Sequence, residues 1–370
     1  MLTQDRIAPQ DETELAGFLA DSHGAGRALW IEGGGTRLPA GPGVRLSTRN
    51  MSGIVTYEPG ELTLIARAGT PVDQIEAALA AEGQALAFEP MDHRVLLGGN
   101  GTPTVGGLVA ANVSGPRRLQ AGACRDHLLG VRFVDGQGRV IRNGGRVMKN
   151  VTGMDLVKLM AGSHGTLGVL SEVVLKTLPL AESQQTLALP GLTPAQAVQV
   201  FSAALATPFE VSGAAFHDGT AWMRIEGLSG QVDYRRDRLA ALLRDRRAEV
   251  IPDDDSRRLW RDVRDLRHFA ASEGAVWRVL VKPTDAPAVM RALEALGGTC
   301  SMDWGGGLVW YCGSGDADAV RRAAGAGQAI LLRGTATPIF PPQAPGVARL
   351  AAALRRTFDP AGILNPGLMG

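Results

Sequence analysis

The chain has 370 residues, 45% of them hydrophobic, with 38 basic against 37 acidic residues and a net charge of +1. At roughly 100–200 residues per domain this length implies two domains, and so small a net charge offers no field for nucleic acid or an anionic membrane surface. No apolar run approaches the roughly 20 residues of a bilayer span, the opening "MLTQDRIAPQDETELAG" lacks signal-peptide character, and Cys124, Cys300 and Cys312 show no CxxC spacing, so a cytoplasmic protein without disulfides, zinc site or iron–sulfur cluster is expected.

In chain order, the N-terminal half alternates strand and helix. "RALWIEGGGTR" is a short apolar run, residues 28–31, feeding a triple glycine. "LTLIARAGT" alternates as a strand does, and "TPVDQIEAALAAEG" predicts a helix capped by Thr70, with Pro71 in its first turn and Gly83 as its stop. "LLGVRFVDGQGRVIRNGG" predicts two strands joined at Asp135 and Gly136, and "LGVLSEVVLKTLP" a long strand closed by Pro179.

After "LPLAESQQT" the pattern changes. A helix over 194–207, a hairpin at "HDGT", a charged helix over 232–247 and strands at "AVWRVLVKP" and "GLVWYCG" flank the helix of "DAPAVMRALEAL". This predicts an antiparallel sheet with helices on one side. A helix over 347–357 then leads into the Pro-bearing tail "FDPAGILNPGLMG".

Three glycine clusters stand out: Gly33, Gly34, Gly35, Thr36 and Arg37; the stretch "GTPTVGGLVAANVSG" over 101–115; and "GSHGTLG" over 162–168. Glycine admits positive φ and lets a ligand reach backbone N–H groups with no Cβ in the way, so a diphosphate suits such loops, though each could equally be a turn. The GxGxxG fingerprint fits poorly and GxxxxGK[ST] is absent, which argues against a nicotinamide-binding Rossmann domain or a P-loop.

Five ordered motifs carry a resemblance: "GGGTR", "TVGGLVAANVSG", "GACRDHLLG", "GMDLVKLMAGSHGTLGVLSE" and "FDPAGILNPG". The chain resembles the FAD-binding family of vanillyl-alcohol oxidase and p-cresol methylhydroxylase. "SGPRR" followed by "GGRVMKNVTG" looks most like flavin subunits of glycolate-oxidising complexes within it. The resemblance implies an α+β chain: two α/β FAD-binding subdomains over 1–182, a smaller antiparallel α+β cap over 183–340, and a C-terminal helix and tail over 341–370 returning to the FAD domain. It implies that Gly33, Gly34, Gly35, Thr36 and Arg37, with Thr104, Val105, Gly106 and Gly107, cradle the FAD diphosphate. Asn112, Ser114 and Gly115 would line the path to the flavin ring, Gly165, Gly168 and Val169 the adenosine end, and Pro90, Ala111, Gly122 and Asp126 would also bind the cofactor.

Covalent relatives attach flavin at positions that look like Thr36 and Thr102 here, which implies noncovalent FAD. Cys124 reads as a small buried hydrophobe. The "HxGDGNxH" metal element of related hydroxyacid dehydrogenases has no match, and the six histidines form no short ligand pair, so no metal is expected and no catalytic residue can be named. His217, beside a turn, is expected to be solvated, and His164 to serve the adenosine side. For a substrate carboxylate, Arg117 and Arg118 are best placed by sequence. "SRRLWRDVRDLRHF" reads as a salt-bridged helix face.

The resemblance implies a subunit that oxidises glycolate to glyoxylate beside a second flavin subunit and an iron–sulfur subunit, the sister flavin subunit carrying the catalysis. A self-sufficient FAD dehydrogenase for a small 2-hydroxyacid, and a non-catalytic assembly subunit with a degenerate pocket, stand as alternatives.

Overall fold

The computed structural model describes residues 6–145 and 154–369. Most of "GGRVMKNVTG", over 146–153, lies outside the described residues.

The chain folds as α+β. A small parallel sheet aligns Arg6–Ile7, Val44–Ser47 and Leu29–Glu32. Helix Glu12–Gly24 covers it, capped by the Asp11 side chain, which accepts the N–H of Glu14. Leu15 and Leu19 pack with Leu29, Leu46, Val134 and Val169. A second sheet orders Ile54–Glu58, Thr63–Arg67, Val169–Lys176, Leu128–Val134 and Val140–Gly144. All its pairings are antiparallel. Alternation reveals a strand but not its direction, so the strand–helix reading of this half could not separate a parallel from an antiparallel sheet.

Helix Val72–Ala81 starts one residue later than the sequence suggests. Pro71 is its N-cap, and the Thr70 hydroxyl donates to the carbonyls of Arg67 and Gly53 instead of capping it. A buried hydroxyl takes the partners that satisfy it.

The strands from Ser183 to Arg333 make one eight-stranded sheet, antiparallel at every pair. The "HDGT" hairpin is present, with Asp218 and Gly219 both at positive φ as a type I′ turn requires. Helices Pro194–Leu205, Ser229–Leu242, Ala286–Glu294 and Ala317–Ala324 cover one face through Phe201, Leu239, Leu293 and Val320.

Strand alternation decides what the other face meets. In Ala275–Leu280, Trp277 and Val279 enter the helix-covered core with Val309 and Tyr311. Val276 lies on the opposite face with Leu308, Trp310 and Cys312, against Met91 and Leu96 of the N-terminal half. That second face packs against the N-terminal half.

The tail closes the structure. Phe358 of helix Pro345–Phe358 packs in the core of the five-stranded sheet. Asp359, buried, accepts the amides of Ile363 and Leu364. Leu364 then pairs with Leu29 as an added edge of the parallel sheet.

Candidate functional site

The three glycine clusters converge on one cleft. Strand Leu29–Glu32 delivers residues 33–37 to it. Thr104 caps helix Val105–Ala110, its hydroxyl accepting the Gly107 amide at 3.4 Å. The 162–168 turn locks onto that helix: Gly162 N–H donates to the carbonyl of Val109 and His164 N–H to that of Ala110. The open space amounts to about 1330 Å³.

The loops must be bare first of all because they lie against each other. A Cβ on Gly34 would fall 1.5 Å from the Thr102 carbonyl oxygen, and one on Gly106 would fall 2.6 Å from the Cβ of Ala68. No side chain fits at such distances.

Backbone donors in the cleft are unevenly spent. Val105 N–H donates to the Thr70 carbonyl, Gly106 N–H to that of Ala68, and Gly107 N–H to the Thr104 hydroxyl. By contrast, the successive amides of Gly34, Gly35, Thr36 and Arg37 donate to no acceptor among the described residues. Consecutive free N–H groups are an anion-binding concavity.

Electrostatics sharpen this contrast. Among the described residues the Arg37 guanidinium contacts only the Nδ1 of His164, at 3.2 Å, and its Nε has no partner. It lies deep in the cleft while keeping part of its surface open there, and burial pulls its pKa down to about 10. His93 is held neutral, its pKa down at about 3, by burial and by Arg37. His164 is lowered by burial, Arg37 and Arg278, and its ring meets Phe340 edge-on at 4.8 Å.

Of the residues chosen from sequence, Gly33, Gly34, Gly35, Thr36, Arg37, Pro90, Thr104, Gly106, Gly107, Ala111, Gly165, Gly168 and Val169 line this cleft. The others do not. Val105 is fully buried in the core behind it. Asn112, Ser114, Gly115, Gly122 and Asp126 form a tightly self-bonded loop instead. The Asn112 side chain accepts the Arg125 amide, Ser114 Oγ accepts that of Cys124, the Gly115 carbonyl accepts Trp304 Nε1, Gly122 ends helix Arg118–Ala121 at φ 87°, and Asp126 accepts the Ala123 amide.

The two candidate carboxylate-binding arginines part company. Arg117 is engaged: its Nε lies 2.7 Å from Glu226 and its amide donates to Glu89. Those carboxylates also hold Arg224, which donates to both oxygens of Glu89 at 2.7 and 2.9 Å. The charge of Arg117 is thus shared with Glu226. Arg118 has no ion pair among the described residues and sits 4.4 Å from the Trp304 ring centroid.

His217 is also not simply solvated. It is half-buried and stacked on His268 at 4.3 Å, and burial drives the His268 pKa down to about 3. Cys124 is fully buried, and burial pushes its thiol up. The Arg257 region pairs as expected, with Arg257 to Asp253 and Arg258 to Asp255, while Arg264, bound to Asp265, reaches the cleft.

Residues 5–144 match the family model described as FAD binding domain. Over 329 residues the chain is 34% identical to the glycolate oxidase subunit GlcE of Escherichia coli K12, spanning 88% of this chain and 87% of that one. The chain belongs to the FAD-linked oxidoreductase family of GlcE. It is also 31% identical over 189 residues to a D-lactate dehydrogenase of Archaeoglobus fulgidus, and 31% identical over 186 residues to the glycolate oxidase subunit GlcD of Bacillus subtilis. Those matches span about half of this chain and 41% and 38% of the relatives. In fold it matches alkyldihydroxyacetonephosphate synthase, with a TM-score of 0.69 over 97% of this chain and 75% of the other at 16% identity.

The cofactor of this family is FAD, and the cleft suits it. Four adjacent amides without acceptors, an arginine with an orphan Nε, and close-packed glycine loops are what a diphosphate-bearing cofactor needs. Sequence reasoning missed Arg278, His93 and Asn365. The Asn365 side chain accepts the Ile31 amide at 2.6 Å and donates to the His164 carbonyl at 2.7 Å, tying the tail to two cleft loops. Arg278 was legible as a charged residue at an apolar position of an alternating strand in "AVWRVLVKP".

Proposed function

We propose that this chain is a noncovalent FAD-binding subunit of a complex that oxidises a small 2-hydroxyacid, glycolate to glyoxylate, beside a second flavin subunit and an iron–sulfur subunit. The observation that carries it is the run of unpaired amides at Gly34, Gly35, Thr36 and Arg37, at the end of the strand where a bound diphosphate would take them up. Similarity to the subunits named GlcE and GlcD supports the substrate and the assembly. In this reading residues 1–182 hold the cofactor, 183–340 form the cap and 341–370 return to seal the first part. Gly165, Gly168 and Val169 bound the adenosine end, and residues 111–126 support the wall toward the cap.

When bound, FAD supplies the two-electron acceptor. The chain's own residues bind and orient it: the 33–37 loop donates its amides, Arg37 contributes charge, and the Thr104 and Gly106 surface shapes the floor. Thr36 and Thr102 offer no attachment chemistry, so the cofactor is held by contacts alone. Hydroxyacid oxidation also needs a group to take the hydroxyl proton. His93 and His164 are neutral, but each stands among guanidiniums that oppose its protonation. This supports an accessory flavin, with turnover in a sister subunit. No helix among the described residues is long and apolar enough to cross a membrane.

A self-sufficient hydroxyacid dehydrogenase is the second reading, favoured by the unpaired Arg118. Purification of the chain alone, followed by anaerobic addition of glycolate, tests both. Bound FAD that is not bleached until the sister flavin subunit is added is the expected result. Rapid bleaching of the isolated chain overturns the accessory role, and a chain that takes up no FAD overturns the reading altogether.

A further inference from the structure

A second cavity lies behind the cofactor loops, with an open space of about 1040 Å³. Gly34, Gly35 and Thr104 border both it and the cleft, which makes them a partition between the two. The groove gathers residues that follow the ends of parallel strands: Gly34 and Gly35 after Leu29–Glu32, Arg49 and Ser52 after Val44–Ser47. Carboxyl ends of parallel strands are where such sheets collect ligands.

Three arginines line this groove, Arg6, Arg45 and Arg49, and no carboxylate does among the described residues. Arg6 and Arg45 are register partners on neighbouring strands, a placement that sets like charges side by side. Glu32 joins them from the next strand end: Arg45 donates to its Oε2 at 3.2 and 2.6 Å, and Arg6 pairs with its Oε1. That one carboxylate is then fully engaged. Arg6 and Arg45 stay 29% and 32% exposed, so donors not spent on Glu32 still face the open space. Arg49 forms no ion pair among the described residues, so three guanidiniums against one carboxylate leave two positive charges over.

The opposite wall is backbone. The amides of Asn100, Gly101 and Thr102 donate to no acceptor among the described residues. A Cβ on Gly101 would fall 2.2 Å from the Gly34 carbonyl oxygen, so this loop is pressed against the 33–37 loop and presents main chain to the groove.

We propose that Arg6, Arg45 and Arg49, facing the 100–102 backbone, form a site for the phosphate group of a small anion outside the FAD cleft. Phosphate carries close to two negative charges at neutral pH and several acceptor oxygens, which matches the excess charge and the directions from which donors arrive. A monocarboxylate would neutralise half of it. The inference rests on the cleft being the cofactor site, and it places a second, separate anion on the far side of the same loops.

The probes are inorganic phosphate and glycerol 2-phosphate, titrated calorimetrically into the FAD-loaded chain at neutral pH and constant ionic strength. One phosphate per chain should bind; tighter binding of the ester would identify an esterified ligand, and tighter binding of the free ion would identify phosphate itself. Arg49→Met and Arg6→Met should each weaken binding about ten- to hundredfold, as expected for a lost charge-assisted hydrogen bond, while the FAD-to-protein ratio stays at the wild-type value. Arg49→Lys should fall between, because it keeps the charge and loses the fork. No binding of either probe by the wild type, or unchanged binding in folded Arg49→Met, overturns the proposal. Loss of FAD in parallel with loss of phosphate also overturns it, because the groove would then be serving the cofactor's own diphosphate. A wild-type chain that binds phosphate yet no FAD would sink the cofactor reading and leave the phosphate site standing.

Discussion

Two groups of arginines lie along the same seam and have opposite chemistry. In one, Arg117 and Arg224 are interleaved with Glu89 and Glu226, and Arg224, 1% exposed, is bonded to both oxygens of Glu89. In the other, Arg37, Arg118 and Arg278 meet a histidine, an indole and each other's fields, but no carboxylate partner among the described residues. The first group is complete without a ligand and joins Glu89 of the N-terminal half to the large sheet. The second is incomplete as folded, and incompleteness is what marks a binding surface. Counting arginines would rank the two groups alike; counting their partners separates structure from function.

The largest effect should come from breaking the paired group. Arg224→Met leaves Glu89 and Glu226 facing each other in a buried place, and should cost about 3–5 kcal/mol of stability in chemical denaturation. Arg278→Met removes a desolvated charge that has no partner and should leave stability unchanged or raised. If the two variants are equally damaged, the comparison fails.

Titration distinguishes the groups next. Around the unpaired group His93 is held at about 3 and His164 also well below its usual value; His268, in the stacked pair, is likewise held at about 3. As pH falls below 6.5 the unfolded chain takes up protons there that the folded chain refuses, which removes stability. Asp303, buried beside the paired group, has its carboxyl raised to about 7 by burial against the opposing pull of Arg224. It binds a proton in the folded state that the unfolded state lacks between about pH 7 and 4, which adds stability as pH falls. His127 and His217 are lowered in the same sense, so five histidines oppose the raised carboxyls of Asp303, Glu76 and Glu294, and stability should fall on balance between pH 6 and 5. Thermal melts across that window check it, and Asp303→Asn should steepen the loss. A flat profile would mean that these histidines are not kept neutral.

A smaller effect tests the loop that feeds the unpaired group. Gly34→Val drives a side chain into the Thr102 carbonyl and should cost about 1–3 kcal/mol, with loss of copurifying FAD. Retention of stoichiometric FAD would remove the 33–37 loop from the site. The smallest effect, on the order of 1 kcal/mol, is expected for Asn365→Ala, which frees the tail from Ile31 and His164. FAD affinity, measured by fluorescence, should fall with it. An unchanged affinity would show that the tail does not brace the cleft.

Much of this fold was legible because its signals are local. The "DGQG" and "HDGT" turns and the triple glycine after an apolar run each depend on a few neighbouring residues. The cleft-lining glycines were legible for the same reason, but the force that keeps them bare was not: Gly34 yields to Thr102 and Gly106 to Ala68, contacts between segments tens of residues apart. The pairing of Arg117 was not legible. Its partner Glu226 lies more than a hundred residues away on a strand of the large sheet, and no local pattern announces that pairing. Arg278 and Arg118 converge on Trp304 from three separate elements, and only the folded chain shows that nothing neutralises them.

The account stands or falls on whether the unpaired amides and arginines hold an FAD that the chain does not bond covalently. The direct measurement is the visible spectrum of the purified chain, followed by acid precipitation and analysis of both fractions. One flavin per chain, all of it in the supernatant and identified as FAD, is the result expected. A colourless chain that takes up no added FAD, or a flavin that stays with the precipitated polypeptide, would contradict it.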